Sequence, residues 1–213
     1  MIENIHWLGH DSFRIDGEKV TYIDPWQLKE NLPPADLVLI THEHGDHCSP
    51  SDVAKIARPE TIVVTNAASA EKLKGQPGEV RIVKPGDSLS IDGVQLEAVP
   101  AYNLNKFRSP GKPFHPQEAG HVGFVVTLGG QRIYHAGDTD NIPEMENLQA
   151  DIALLPVSGT YVMTAEEAAD AARRIAPRVA ITMHYGAGVA GTRADAERFA
   201  ELYGGQVLIL EQE

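Results

Sequence analysis

Apolar residues along this chain fall mostly in short runs broken by glycine, proline and acidic turns, a rhythm that predicts more strands than helices. Residues 5–8, Ser12–Ile15 and residues 20–23 are β-prone runs separated by Gly9 and an Asp16-Gly17 turn signal, which predicts a small antiparallel meander. Leu37–Ile40 is apolar at every position, the pattern of a strand covered on both faces. Ser49 followed by Pro50 suits the cap and first position of a helix reaching residue 57. Ile62–Thr65 is a further strand and residues 67–73 a short helix, and residues 80–100 carry strands broken by turns at Pro85-Gly86-Asp87 and Asp92-Gly93.

Residues 102–120 are rich in Pro, Gly, Asn and Lys and have no period, so a long functional or mobile loop is expected there. Val122–Leu128 and residues 131–134 flank Gly129-Gly130, a hairpin signal. Residues 152–157 form a buried-type strand, and Thr164-Ala165-Glu166-Glu167 is a capping box opening a helix to residue 175. Val179–Met183 is a strand, residues 194–203 a helix, and residues 207–210 a last strand. No internal repeat, low-complexity segment or linker is visible, so residues 1–213 read as one domain mixing α and β elements, α+β or α/β in class.

Composition narrows the class. With 213 residues, 42% of them hydrophobic, the chain can bury a core without disulfides, and its one cysteine, Cys48, cannot form an internal one. No leader pattern and no run of about 20 apolar residues is present, so a cytoplasmic protein outside the membrane is expected. A net charge of −12 works against binding a phosphate backbone, which leaves a small molecule as the expected partner and nucleic acid as an unexpected one.

The chemistry-bearing residues follow strand runs. His42 to His47 follow Leu37–Ile40, Asn103 follows residues 94–99, Asp138 follows residues 133–134 and His184 follows Val179–Met183. Side chains at strand ends converge on one rim of a sheet, where open α/β folds place their ligands. His42-Glu43-His44-Gly45-Asp46-His47 packs three imidazoles and a carboxylate into six residues, a donor set suited to zinc and neighbouring ions. Two groups of donors suggest two ions about 3.5–4 Å apart sharing a carboxylate.

Here the sequence resembles the metallo-β-lactamase superfamily, whose H-x-H-x-D-H signature is intact as His42, His44, Asp46 and His47. Gly137-Asp138-Thr139 resembles the family's bridging-aspartate motif, and His184 in Thr182-Met183-His184-Tyr185-Gly186 matches its final histidine. Trp7-Leu8-Gly9-His10 and the stretch from Ile152 to Val157 look like the stand-alone hydrolase branch that includes ascorbate-6-phosphate lactonase relatives. The resemblance implies a four-layer αββα sandwich. It also implies one or two divalent ions per chain, Zn2+ first and Mn2+ or Fe2+ as alternatives. His42 and His44 would hold the first ion, Asp46, His47 and His184 the second, and Asp138 would bridge them. Asp46 and Asp138 would also serve in proton transfer.

One family histidine, expected just after residues 99–102, is replaced by Asn103. His115 in the long loop is the favoured substitute, ahead of His121; Asn103 binding through oxygen, or an extra water, are the alternatives. His10 is a candidate to contact substrate or orient a ligand, and His135 to orient a ligand beside Asp138. Cys48 reads as a small buried residue, and His6 is assigned no role. Lys106, Arg108 and Lys112 crowd the long loop and would steer an anionic group toward the ions.

The expected activity is hydrolysis of a small anionic ester, lactone or phosphoester. A phosphodiesterase, or a non-catalytic metal-dependent binding module, are the alternatives, and His44 argues against a flavodiiron-type redox centre. Relatives of this kind often assemble, but no heptad pattern or exposed apolar stripe picks out a partner surface, so the sequence leaves a homo-oligomer open.

Overall fold

The computed structural model describes residues 2–213. The first half lays down β1 (Ile5–Gly9), β2 (Ser12–Ile15), β3 (Thr21–Ile23), β4 (Leu37–Ile40), α1 (Pro50–Ile56), β5 (Ile62–Thr65), α2 (Ala67–Lys72) and β6 (Glu79–Ile82). These strands form a sheet in the order β1-β2-β3-β4-β5-β6, antiparallel through the meander and parallel from β3 onward.

The second half begins with β7 (Ser88–Ile91), β8 (Val94–Pro100), β9 (Phe107–Ser109), β10 (Lys112–Pro113), β11 (Val122–Leu128) and β12 (Gln131–His135). It continues with β13 (Ile152–Pro156), α3 (Ala165–Ile175), β14 (Val179–Met183), α4 (Arg193–Tyr203) and β15 (Val207–Leu208). Its sheet runs β15-β14-β13-β12-β11-β8-β7, with antiparallel pairs up to β12 and parallel pairs from β12 to β15. Each half is therefore a meander, a loop crossover to a parallel strand, and two helix–strand units. This repeat of topology has no counterpart in the residue sequence.

Burial explains the layering. In β4, Leu37 and Leu39 join Trp7, Phe13 and Ile23 in a core shared with Phe124, Val126 and Ile133 of the other sheet. Val38 and Ile40 point the opposite way, into a second core with Val53, Ile56 and Leu73 beneath α1 and α2. Ala168 and Ala172 of α3 and Phe199 of α4 pack against the second sheet. The result is the αββα sandwich expected from the resemblance. Each fully buried Leu, Ile or Phe contributes roughly 1.5–3 kcal/mol of transfer free energy.

The helix signals act as expected. Asp52 N–H donates to Ser49 Oγ at the start of α1, and Thr164 and Glu167 exchange both capping-box hydrogen bonds at the start of α3. The aperiodic segment 102–120 differs from expectation: it holds the β9–β10 ribbon and a turn at Gln117–Ala119. It is fastened by Asp140 Oδ2, which accepts from the backbone N–H groups of Leu104 (2.6 Å) and Asn105 (2.8 Å).

Beyond β15, Glu213 N–H donates to Trp7 O (2.9 Å) and Gln212 Nε2 to Leu8 O (2.8 Å), laying this segment along β1. Arg14 and His6 hold the Glu213 carboxylate. No helix among the described residues is long and apolar enough to cross a membrane.

Gly123 on β11 is packed so closely that a Cβ there would lie 2.8 Å from the backbone carbonyl oxygens of His135 and Ala136. Gly123→Ala is therefore expected to lower stability by about 1–3 kcal/mol, the cost of forcing backbone apart in a packed core. Chemical denaturation measures it, and an unchanged midpoint would contradict the packing argument.

Candidate metal centre

The ends of β3, β4, β8, β12, β13 and β14 meet at one rim of the sandwich, and the loops leaving them carry Asp24, His42–His47, Asn103, Asp138, Ser158 and His184. His42, His47, His115 and His184 are buried, as is Asp138. His44 and Asp46 are partly exposed. His10 and His184 both adopt positive φ (52° and 59°), a conformation that side-chain-bearing residues seldom take, and His184 N–H donates to His10 O at 3.1 Å. The two turns are thus locked to each other.

Outer hydrogen bonds fix the imidazoles. His42 Nδ1 donates to Thr41 Oγ1 (3.0 Å), whose hydroxyl donates to Asp24 Oδ2 (2.6 Å). His47 Nδ1 donates to the same Asp24 oxygen (2.8 Å), His184 Nδ1 to Ser158 Oγ (2.8 Å), and His115 Nδ1 to Asn103 Oδ1 (3.0 Å). Protonated on Nδ1, each ring turns an Nε2 lone pair inward, the tautomer a ligating histidine needs.

These inward atoms form two groups. In the first, His44 Nδ1 lies 3.0 Å from His42 Nε2 and 3.2 Å from His115 Nε2, and Asp138 Oδ2 lies 3.1 Å from His115 Nε2 and 3.9 Å from His42 Nε2. In the second, Asp138 Oδ1 lies 3.3 Å from His47 Nε2 and 3.4 Å from His184 Nε2. An ion with bonds of about 2.0–2.1 Å in a tetrahedral site sets its ligands roughly 3.3–3.4 Å apart, so both groups have the spacing of a coordination shell. His47 Nε2, His184 Nε2 and Asp138 Oδ1 are buried without a hydrogen-bond partner, the condition a bound cation relieves. The donor set fits divalent metal.

Electrostatics point the same way. Burial works against an imidazolium at His47, yet the carboxylates of Asp138, Asp24 and Asp11 hold its pKa well above the ordinary value. Burial is likewise outweighed at His184, which Asp138 and Asp11 push up to about 9. Burial and the neighbouring His47 hold His42 well below its usual value, and burial with His115 brings His44 down to about 4. Burial would raise the Asp138 pKa, but His47, His184 and His115 hold it well below the carboxylate range. The neutral imidazoles thus lie toward the first group and the strongest pull on a cation toward the second.

The other sequence candidates take varied places. Asp46 stands at the edge of the second group, 3.2 Å from His10 Nε2 and 3.9 Å from His47 Nε2. Asn103 supports His115, also accepting its backbone N–H (2.8 Å), and donates through Nδ2 to Tyr161 O (2.9 Å) and Asp140 Oδ1 (3.3 Å). His121 Nε2 pairs with Glu43 (3.2 Å). His135 lies behind the rim, donating through Nε2 to Asp11 O (2.9 Å) and accepting from Gly137 N–H.

Lys106 departs from the expectation of a steering charge. It turns inward to Glu167 (2.6 Å) and Asp140 (3.5 Å), partners far away in sequence. Arg108 lies 5.6 Å over the Phe114 ring, beside a depression of about 340 Å³ that reaches His44 and His121. Lys112 is exposed on β10. Cys48 is buried with its thiol pushed up to about 11 by burial, and His6 pairs with Asp16 and Glu213.

Two residues escaped the sequence reading. Asp24 orients His47 and, through Thr41, His42. Asp11 is fully buried and faces His10, His47 and His184 with Oδ2 at 3.4, 3.7 and 3.9 Å. Position at a strand end, shared with the recognised residues, was the one signal for Asp24, and adjacency to His10 the one for Asp11.

Comparison with known proteins identifies the family. Residues 4–184 match the model of the β-lactamase superfamily domain. A UPF0173 metal-dependent hydrolase of Thermoplasma acidophilum is 37% identical over 94% of this chain and 90% of its own length. A counterpart from Methanoculleus marisnigri is 36% identical over 84% and 79%. The crystal structure of a metal-dependent hydrolase from Parabacteroides distasonis is 34% identical and superposes with a TM-score of 0.83, covering 98% of this chain and 93% of that one. By family match, by relatives along nearly its whole length and by fold, the chain belongs to the β-lactamase superfamily, among its metal-dependent hydrolases.

Proposed function

We propose that this protein hydrolyses a small anionic ester, lactone or phosphoester. In this reading His42, His44, His115 and Asp138 hold one divalent ion, and Asp138, Asp46, His47 and His184 hold a second. The carrying observation is that Asp138 presents Oδ2 to one group of imidazole nitrogens and Oδ1 to the other. Ions held there supply Lewis acidity at a substrate oxygen and lower the pKa of water toward neutrality.

The chain's own residues do the rest. Asp46 has Oδ2 tied to His10, and Oδ1 is the oxygen left to take the proton of the attacking water. Trp26 stands edge-on to His10 (5.4 Å), while Tyr161 lies 6.4 Å from His184 and packs against Phe114. These aromatic walls exclude bulk water and bind the apolar part of a substrate. Among the described residues no carboxylate pairs with Arg108, so its guanidinium is available to an anionic group approaching His44.

The test is a panel of lactones, carboxylic esters, phosphomonoesters and phosphodiesters, run before and after chelation and with Zn2+, Mn2+ or Fe2+ restored. Turnover of an anionic member should vanish with chelator and return with metal. Arg108→Ala should raise KM for that substrate about tenfold, worth ~1.4 kcal/mol of charge-assisted contact, with kcat nearly unchanged. Metal-replete protein inert on the whole panel would favour the binding-module reading.

A further inference from the structure

Among the described residues five aspartates are buried: Asp11, Asp24, Asp52, Asp138 and Asp140. Three of them are saturated with donors. Asp24 accepts from Thr41 N–H, the Thr41 hydroxyl and His47; Asp52 accepts from the backbone of Gln27 and Leu28; Asp140 accepts from Leu104, Asn105 and Asn103. Asp138 has Oδ2 3.1 Å from His115 Nε2 and only Oδ1 without a partner. Asp11 alone leaves both carboxylate oxygens buried with no hydrogen-bond partner. A carboxylate withdrawn from water without donors costs several kcal/mol unless positive charge stands beside it, and the polar atoms nearest Asp11 are imidazole nitrogens that a metal cation would link to it.

The surroundings say where that cation sits. Asp11 Oδ2 is 3.7 Å from His47 Nε2 and 3.9 Å from His184 Nε2, the two nitrogens that also face Asp138 Oδ1. His10 is nearer, at 3.4 Å, but its ring differs from those of His42, His47, His115 and His184. Its Nδ1 is buried without an acceptor, so its proton belongs on Nε2, which donates to Asp46 at 3.2 Å. His10 is thus a donor holding Asp46, while Asp11 is free to bind.

We propose that Asp11 is a ligand of the second ion, a carboxylate supplied from the β1–β2 turn in addition to those of the H-x-H-x-D-H motif and Asp138. The inference rests on the two-ion reading above. It makes the second position rich in oxygen and the first rich in nitrogen, so the second is the better seat for a hard ion such as Mn2+ and the first for Zn2+.

The test uses Asp11→Asn, which keeps shape and removes charge, and Asp11→Ser, which leaves room for water. Metal-free protein is titrated calorimetrically with Zn2+ and separately with Mn2+, bound metal is counted by elemental mass spectrometry, and thermal unfolding is followed with and without metal. Both variants should keep the first equivalent and lose at least about a hundredfold in affinity for the second. Added metal should raise the unfolding temperature of both variants by less than it raises that of wild type, whereas a purely structural aspartate would leave that increment unchanged. Unchanged affinity for the second equivalent, or failure of both variants to fold without metal, overturns the role of Asp11. Wild type that takes up no second equivalent overturns the two-ion reading and this proposal together.

Discussion

Asp138→Ala is expected to abolish turnover, lowering kcat/KM by at least about a thousandfold, or ~4 kcal/mol of transition-state stabilisation. Among the described residues no other carboxylate faces both groups of nitrogens: Oδ1 lies within 3.4 Å of His47 and His184, and Oδ2 lies 3.1 Å from His115. Its loss removes a donor from both positions at once and the negative charge that offsets the positive pull of His47 and His184. The fold should survive, because the carboxylate is held by site histidines and not by the packed layers, so circular dichroism should stay near wild type. Retained activity in a well-folded Asp138→Ala protein would sink the site assignment.

His115→Ala is expected to reduce bound metal from two equivalents to about one by elemental mass spectrometry, whereas Asn103→Ala keeps two and loses affinity about 10–100-fold. The contrast follows from their different jobs. His115 brings an Nε2 lone pair within 3.2 Å of His44 Nδ1, while both polar ends of Asn103 are occupied, Oδ1 by His115 and Nδ2 by Tyr161 and Asp140. An asparagine so engaged has no lone pair aimed at an ion, although it stands where the resemblance implies a histidine. Equal metal loss in the two variants would mean that the segment fails as a whole when either residue is removed.

Much of this site is legible in the chain because its signals are local. His42 to His47 advertise themselves by density, and Asp138 and His184 by following apolar strands. What the sequence conceals depends on contacts between distant segments. Nothing near Lys106 reveals that Glu167 on α3 will neutralise it, so the basic loop looks more available than it is. Asp24 and Asp11 are single acids in turns, and a turn acid is usually solvated; only the closing of the two sheets buries them. The strands and helices are legible for a related reason, since periodicity and caps report on neighbours a few residues apart. The shared topology of the two halves is invisible in the residues, because different side chains satisfy the same layer geometry.

The segment at Gln212 and Glu213 has a consequence outside the chemistry. β1 is an outer strand of the first sheet, and such a strand offers a row of unsatisfied backbone groups on which a foreign strand can template itself. Here Trp7 O and Leu8 O are already engaged by Glu213 N–H and Gln212 Nε2, and the Glu213 carboxylate is clamped by Arg14 and His6. The sandwich thereby closes one margin against intermolecular β-pairing. The opposite margin, β6, carries Glu79 and Arg81 beside an exposed Ile82 and guards itself with charge, so resistance to aggregation is expected to depend on the clasp at one side and on two ionic side chains at the other.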